Sequence, residues 1–269
     1  MQEDTGVKTE GMTFWEHLEV LRGSLIKMAI AAVVCSAAAF VFKDEVFAVI
    51  LAPKDDSFII YRLFDRLASL VSSGEMEAFD ISLINTGLTS QFVTHLKVSL
   101  CVGVLVSSPY ILYLLFHFIS PALYDNERRY TRRVVAGSYF MFMAGVLLCY
   151  FVVFPLTLRF LGTYQVSEEV VNMISLDSYM GTLITTSLMM GLTFELPVLC
   201  WLLAKLHILN ARMMRRFRRH AFVAILIVAA IITPTTDIFT MFVVALPVWL
   251  LYEMSIAIVR HTGSRDADA

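Results

Sequence analysis

Glu127 sits beside four arginines, Arg128, Arg129, Arg132 and Arg133, in a short polar segment, 118–133, between two long apolar runs. A carboxylate so placed can pair within its own loop, or it can accept charge-assisted hydrogen bonds from a cation that arrives from outside. A second acidic pair, Glu16 and Glu19, lies three residues apart, a spacing that puts both on one helical face. Carboxylates at an interface repel anionic lipid, so a cationic partner suits them better. The third candidate is Glu195, inside an apolar run, where a charge costs about 2.5–3.5 kcal/mol on insertion scales and is kept facing a cavity or a partner. Pro197 follows and predicts a kink with freed carbonyls, and so a polar pocket in mid-membrane. The structural alternative is a hydrogen bond from Glu195 to Thr185, Thr186 or Ser187. Glu253, nearer a span end, reads equally as a snorkelling or paired residue.

Other chemistries lack their residues. The six histidines include no pair at the i, i+4 spacing of a helical zinc site, and no glycine-rich phosphate loop or Gly-x-Ser-x-Gly turn occurs. Cys35, Cys101, Cys149 and Cys200 fall in apolar runs without Cys-x-x-Cys spacing, so they read as small core residues. No enzyme, cofactor, metal or nucleic-acid partner is expected.

The elements that must carry these residues are membrane spans. The chain is 58% hydrophobic and 16% charged, against roughly 45–50% and about 25% in soluble domains. Runs long enough to cross about 30 Å of hydrocarbon predict an all-α integral membrane protein with six helices, at 24–42, 98–119, 134–158, 180–206, 221–233 and 238–258. The last two are expected to be short. With both termini on the cytoplasmic side, the inner segments carry 15 of the 21 basic residues, which satisfies the positive-inside rule. This bias makes the short fifth run a crossing and puts a turn at 233–237 outside. The whole chain, 1–269, reads as one membrane domain: an amphipathic segment 1–23, an outer loop 43–91 and an inner tail 259–269. A cleaved leader at the first span is disfavoured by its acidic, long N-terminal flank. Within the outer loop, which holds eight carboxylates and four basic residues, the apolar spacing over 58–71 predicts an amphipathic cap helix, with a solvated loop as the alternative.

Six motifs in order resemble the TatC family, the multi-span receptor subunit of the twin-arginine protein translocase. They are Phe-Trp-Glu-His-Leu-Glu-Val-Leu-Arg at 14–22, Ser-Pro-Tyr-Ile-Leu-Tyr at 108–113, the segment from Phe118 through Pro121 and Glu127, Tyr-Phe-Val-Val-Phe-Pro at 150–155, Phe-Glu-Leu-Pro-Val at 194–198, and Thr-Pro-Thr-Thr-Asp at 233–237. The resemblance implies a concave, glove-like bundle in the bacterial inner membrane. It implies recognition of the Arg-Arg motif of signal peptides on folded precursors, recruitment of TatA/TatB-type single-span subunits, a homo-oligomer within a larger complex and use of the proton gradient. Glu127 and Phe118 correspond to the signal-peptide surface. The family's other glutamate is replaced by Val20, leaving Glu19 or Glu16 to supply that contact. Glu195 and Pro197 correspond to the concave face where partner or cargo lodges, and Met213 and Met214 to the partner-binding edge. Thr233, Pro234 and Asp237 form the last outer turn, with Asp237 expected to cap the sixth helix. A proton-coupled secondary transporter using Glu195 is the rival reading, although the repeats and paired broken helices of such proteins are not seen.

Overall fold

The computed structural model describes residues 14–55, 58–62, 82–119, 131–165, 167, 172–206, 208–234 and 237–265. Helix α1 (Phe14–Val41) runs unbroken from the acidic segment through the first span, so 14–22 forms the opening turns of that helix. α2 (Lys43–Leu51) follows at once and passes into a 3-10 turn, Ala52–Lys54. β1 (Leu83–Ile84) precedes α3 (Ser90–Ile119), and α4 (Thr131–Leu148) continues through a π turn, Cys149–Val153, into α5 (Phe154–Thr163). Then come β2 (Ile174–Ser175), α6 (Leu176–Thr193), α7 (Leu196–Lys205), α8 (Ala211–Arg216), α9 (Arg218–Ile232) and α10 (Ile238–Arg265).

Among the described residues, five stretches are long and apolar enough to cross a membrane: Leu18–Val41, Ser90–Phe118, Val134–Thr163, Leu176–Lys205 and Ile238–His261. The fifth expected span corresponds to α9, a 15-residue helix of about 22 Å, which is under the usual bilayer thickness. The expectation of two short closing helices holds for α9 only. α10 has 28 residues, because its last turns are held by Ile256 and Val259 packed with Met214 of α8.

Close helix crossings depend on glycine. A Cβ at position 103 of α3 would lie 2.5 Å from the backbone nitrogen and 2.6 Å from the Cα of Ser36 on α1, so the two backbones touch there. Between α4 and α6 the same device appears twice, with Gly145 against Met190 and Phe194, and Gly191 against Phe142 and Val146. Small residues permit this approach, and in lipid such packing replaces hydrophobic burial as the force between helices. The main buried cluster joins Cys149, Val153 and Met190 to Ile225 and Ala229 of α9 and Val244 and Val248 of α10.

Pro155 explains the π turn. Its ring has no N–H and crowds the carbonyl four residues back; one extra residue in the turn accommodates that without ending the helix. The third span therefore extends past its expected end at 158 to Thr163. The second begins at Ser90, earlier than 98, with Lys97 made compatible by an ion pair to Asp177 at 2.8 Å.

The described residues of segment 43–91 carry more regular structure than its composition implied. Its opening turns are helical, with Asp44 and Glu45 favourably placed in the first turn of α2. Carbonyls at the end of that helix and in the 3-10 turn also accept from tyrosines: Tyr150 donates to Val49 O at 2.5 Å, Tyr179 to Ile50 O at 3.0 Å and Tyr61 to Pro53 O at 3.0 Å. Tyr61 also donates to Pro155 O at 3.2 Å, joining the loop to α5. β1 and β2 pair in parallel as Leu83 with Ile174 and Ile84 with Ser175, a small exception to the all-α expectation. Of the proposed cap helix over 58–71, only 58–62 lies within the described residues, with a helical turn over 59–62.

Candidate functional site

The antiparallel packing of α1 on α3 fixes where the N-terminal carboxylates stand. Ser36 meets Gly103, and Phe40 stacks on His95 with ring centroids 3.9 Å apart. Counting back from the Ser36–Gly103 contact at 1.5 Å per residue, Glu19 lies about 26 Å along α1 and Phe118 about 22 Å along α3. The two residues thus reach nearly one level at the same end of one helix pair. Glu19, Trp15 and Val20 are exposed there, and Phe118 is half-buried. The exposure of Val20 means that the position of the family glutamate faces outward. Glu16 belongs to the first turn of α1, and its side chain lies outside the described ones. Glu127 and Pro121 lie outside the described residues.

The second constellation surrounds Glu195. The fourth span breaks into α6 and α7 at Phe194 and Glu195, because Pro197 cannot donate to the carbonyl of Thr193 and its ring would collide with it. In the first turn of α7 proline is tolerated, since an N–H there has no helical acceptor. Glu195 is only 6% exposed, and its Oε2 accepts a 2.5 Å hydrogen bond from Ser138 Oγ on α4. Oε1 has no partner among the described residues. The expected alternatives, Thr185, Thr186 and Ser187, are not the partner. They lie eight to ten residues back, about 12–15 Å along α6, and Ser187 instead contacts Cys149 Sγ at 3.6 Å.

Sequence reading missed Ser138, and its one signal was faint: a hydroxyl in the first turns of an otherwise apolar third span, opposite Glu195 once α4 and α6 pair antiparallel. Glu195 falls a little past the middle of its span, being 20th of the 30 residues of Leu176–Lys205. Removing the hydroxyl should be costly. Ser138→Ala is expected to lose about 1–3 kcal/mol, the penalty for an unsatisfied buried polar group, seen as a lower melting temperature in detergent. Ser138→Thr, which keeps a hydroxyl, is expected to stay closer to wild type.

The remaining candidates divide by burial. Met214 is 5% exposed and packs beneath α10, whereas Met213 is 45% exposed, so Met213 alone of the pair lies at the surface. Tyr252 donates to Met214 O at 2.8 Å, and Arg218 pairs with Glu253 at 2.5 Å; both ties fix α8 and α9 to α10. Glu253 therefore has a structural partner. At the last turn, Thr233 is buried and Pro234 exposed. Asp237 Oδ1 accepts from Thr240 N–H at 2.6 Å, an N-cap for α10. The four cysteines are free. Among the described residues no group of histidine, cysteine or acidic side chains is arranged to hold a metal ion.

Five apolar spans and a broken fourth span with a buried carboxylate define a multi-pass helical membrane protein. Comparison with known proteins makes this specific. Residues 16–247 match the family described as Sec-independent protein translocase protein (TatC). A TatC protein from Blattabacterium sp. subsp. Periplaneta americana is 34% identical over 259 residues, covering 94% of this chain and 97% of that protein. Another, from Carboxydothermus hydrogenoformans, is 30% identical over 256 residues, with 95% and 96% coverage. The crystal structure of the twin arginine translocase receptor TatC in DDM superposes with a TM-score of 0.75 at 32% identity, covering 91% of this chain and all of that one. The chain belongs to the TatC family. It is a multi-pass component of a protein translocase of the bacterial cytoplasmic membrane, and its work is transport, not catalysis.

Proposed function

We propose that this protein is the signal-peptide receptor of a twin-arginine translocase, binding the Arg-Arg motif of folded precursors at the cytoplasmic face and recruiting single-span TatA/TatB-type subunits. The observation that carries the reading is the α1–α3 register, which brings exposed Glu19 to the level of Phe118, nine residues before Glu127. Two adjacent guanidiniums are best met by carboxylates, which accept forked, charge-assisted hydrogen bonds. Glu127 supplies one carboxylate. Glu19 supplies the second, with Glu16 one turn earlier as its substitute, since Val20 cannot. Phe118 gives an apolar wall. A polar group on a partner helix, or cargo, lodges at the break beside Glu195 and Pro197, with Met213 on the neighbouring edge. The family match removes the ground for the secondary-transporter alternative.

Reversing both Glu16 and Glu19 to lysine is expected to lower export of a twin-arginine reporter about tenfold or more, given the worth of a hydrogen bond to a charged group. Membrane abundance of the protein should not change. Export at the wild-type rate in the double variant would remove the second contact from the account.

A further inference from the structure

The arginine run of α8 and the first turn of α9 is held as a one-sided face. α8 is capped by Asn210, whose Oδ1 accepts from Arg212 N–H at 2.9 Å. The helix is pinned from below by buried Met214, which packs with Ile256 and Val259. The chain turns at Phe217, whose ψ of 10° departs from helical geometry and separates α8 from α9, while Phe217 N–H reaches Met213 O at 3.1 Å and Ala221 N–H reaches Phe217 O at 2.9 Å. At about 100° per residue, Arg212, Arg215 and Arg216 of α8 fall within an arc of about 100°, on the side opposite Met214, and Arg219 follows in the first turn of α9. All four are exposed.

Their guanidiniums have little to do inside the protein. Arg212, Arg216 and Arg219 make no side-chain hydrogen bond or ion pair among the described residues, and Arg215 uses only Nε, toward Ala211 O at 3.4 Å. Arg218, which does have an acidic partner in Glu253, lies off this arc. Beside the arginines Met213 and Phe217 are 45% and 49% exposed, and α9 continues with Phe222, Val223, Ile227 and Ile231 outward. A guanidinium face flanked by exposed apolar side chains, at one end of a lipid-facing helix, has the pattern of a segment lying at the headgroup level.

We propose that Arg212, Arg215, Arg216 and Arg219 form a binding site for the phosphate headgroup of an anionic glycerophospholipid, with Met213 and Phe217 against its acyl chains. Guanidiniums meet phosphate in forked geometry, and juxtamembrane basic residues attract anionic lipid. The lipid orients α8 and α9 by holding their junction at the headgroup plane. None of the residues assigned to signal-peptide recognition takes part.

The test uses the full-length protein, delipidated in detergent and titrated with dioleoylphosphatidylglycerol or dioleoylphosphatidylcholine while bound lipid is counted by native mass spectrometry. Wild type is expected to prefer phosphatidylglycerol. R212Q/R216Q/R219Q is expected to weaken that binding at least about tenfold, and Arg216→Gln alone about fivefold. A variant with equal charge loss elsewhere, R22Q/K27Q/R260Q, is expected to bind as wild type does. Equal loss in the two triple variants would reduce the site to diffuse charge and overturn the proposal. So would equal binding of the two lipids, displacement by excess inorganic phosphate, or displacement by polyglutamate, which would indicate a free-anion or acidic-protein site instead.

Discussion

Glu127→Lys is expected to reduce export of a twin-arginine reporter by about ten- to hundredfold, because a hydrogen bond to a charged group contributes about 1.5–3 kcal/mol and every 1.4 kcal/mol is tenfold. Reversal should exceed neutralisation. Glu127→Gln keeps an acceptor oxygen and removes only the charge, so it is expected to retain measurable export, whereas lysine adds repulsion toward the incoming arginines. The four neighbouring arginines sharpen the expectation: with the carboxylate gone, nothing offsets their field on a cationic peptide. Export is scored in cells lacking their own copy, beside membrane abundance of each variant. Wild-type export by Glu127→Lys at wild-type abundance would return Glu127 to a pairing role within its loop.

Gly103→Leu is the second large effect expected, and it tests the scaffold under the site. The new side chain would start from a Cβ that already overlaps the Ser36 backbone at 2.5 and 2.6 Å, and a backbone cannot rotate aside as a side chain can. Overpacking costs about 1–3 kcal/mol when neighbours yield; here α1 must move off α3, along which most of its packing lies. Glu19 would lose its level with Phe118. A marked drop in melting temperature, together with loss of export, is therefore expected. Gly137→Leu serves as the control, since a Cβ there meets nothing within 4 Å, and it should remain near wild type. Equal behaviour of the two variants would show that the α1–α3 contact does not organise the receptor face.

Much of this was legible because lipid imposes simple rules on sequence. Apolar runs gave the spans, and arginine placement supplies the direction expected for them. Pro197 announced the break beside Glu195, and Asp237 the cap it makes with Thr240 N–H. What stayed hidden depended on tertiary contact. Ser138 is one hydroxyl in a long apolar run, and only the α4–α6 pairing makes it the partner of Glu195. Helix α2 was hidden by the acidic composition around it, although Asp44 and Glu45 before Val46 and Phe47 formed a usable start signal. Its carbonyl partners, Tyr150 and Tyr179, come from residues about a hundred and more positions away. Met213 and Met214 look equivalent in sequence, yet the turn of α8 buries one and presents the other. Gly103 likewise looked unremarkable until Ser36 was found against it.

The central claim is that guanidinium pairs, rather than positive charge in general, are recognised at Glu127. The most direct measurement places a photo-crosslinker at position 126, next to an intact Glu127, and presents two signal peptides identical except for Arg-Arg or Lys-Lys in the motif. Glu127 itself then remains to select between them. Strong labelling by the Arg-Arg peptide and weak labelling by the Lys-Lys peptide is the predicted result. Equal labelling by the two would contradict it.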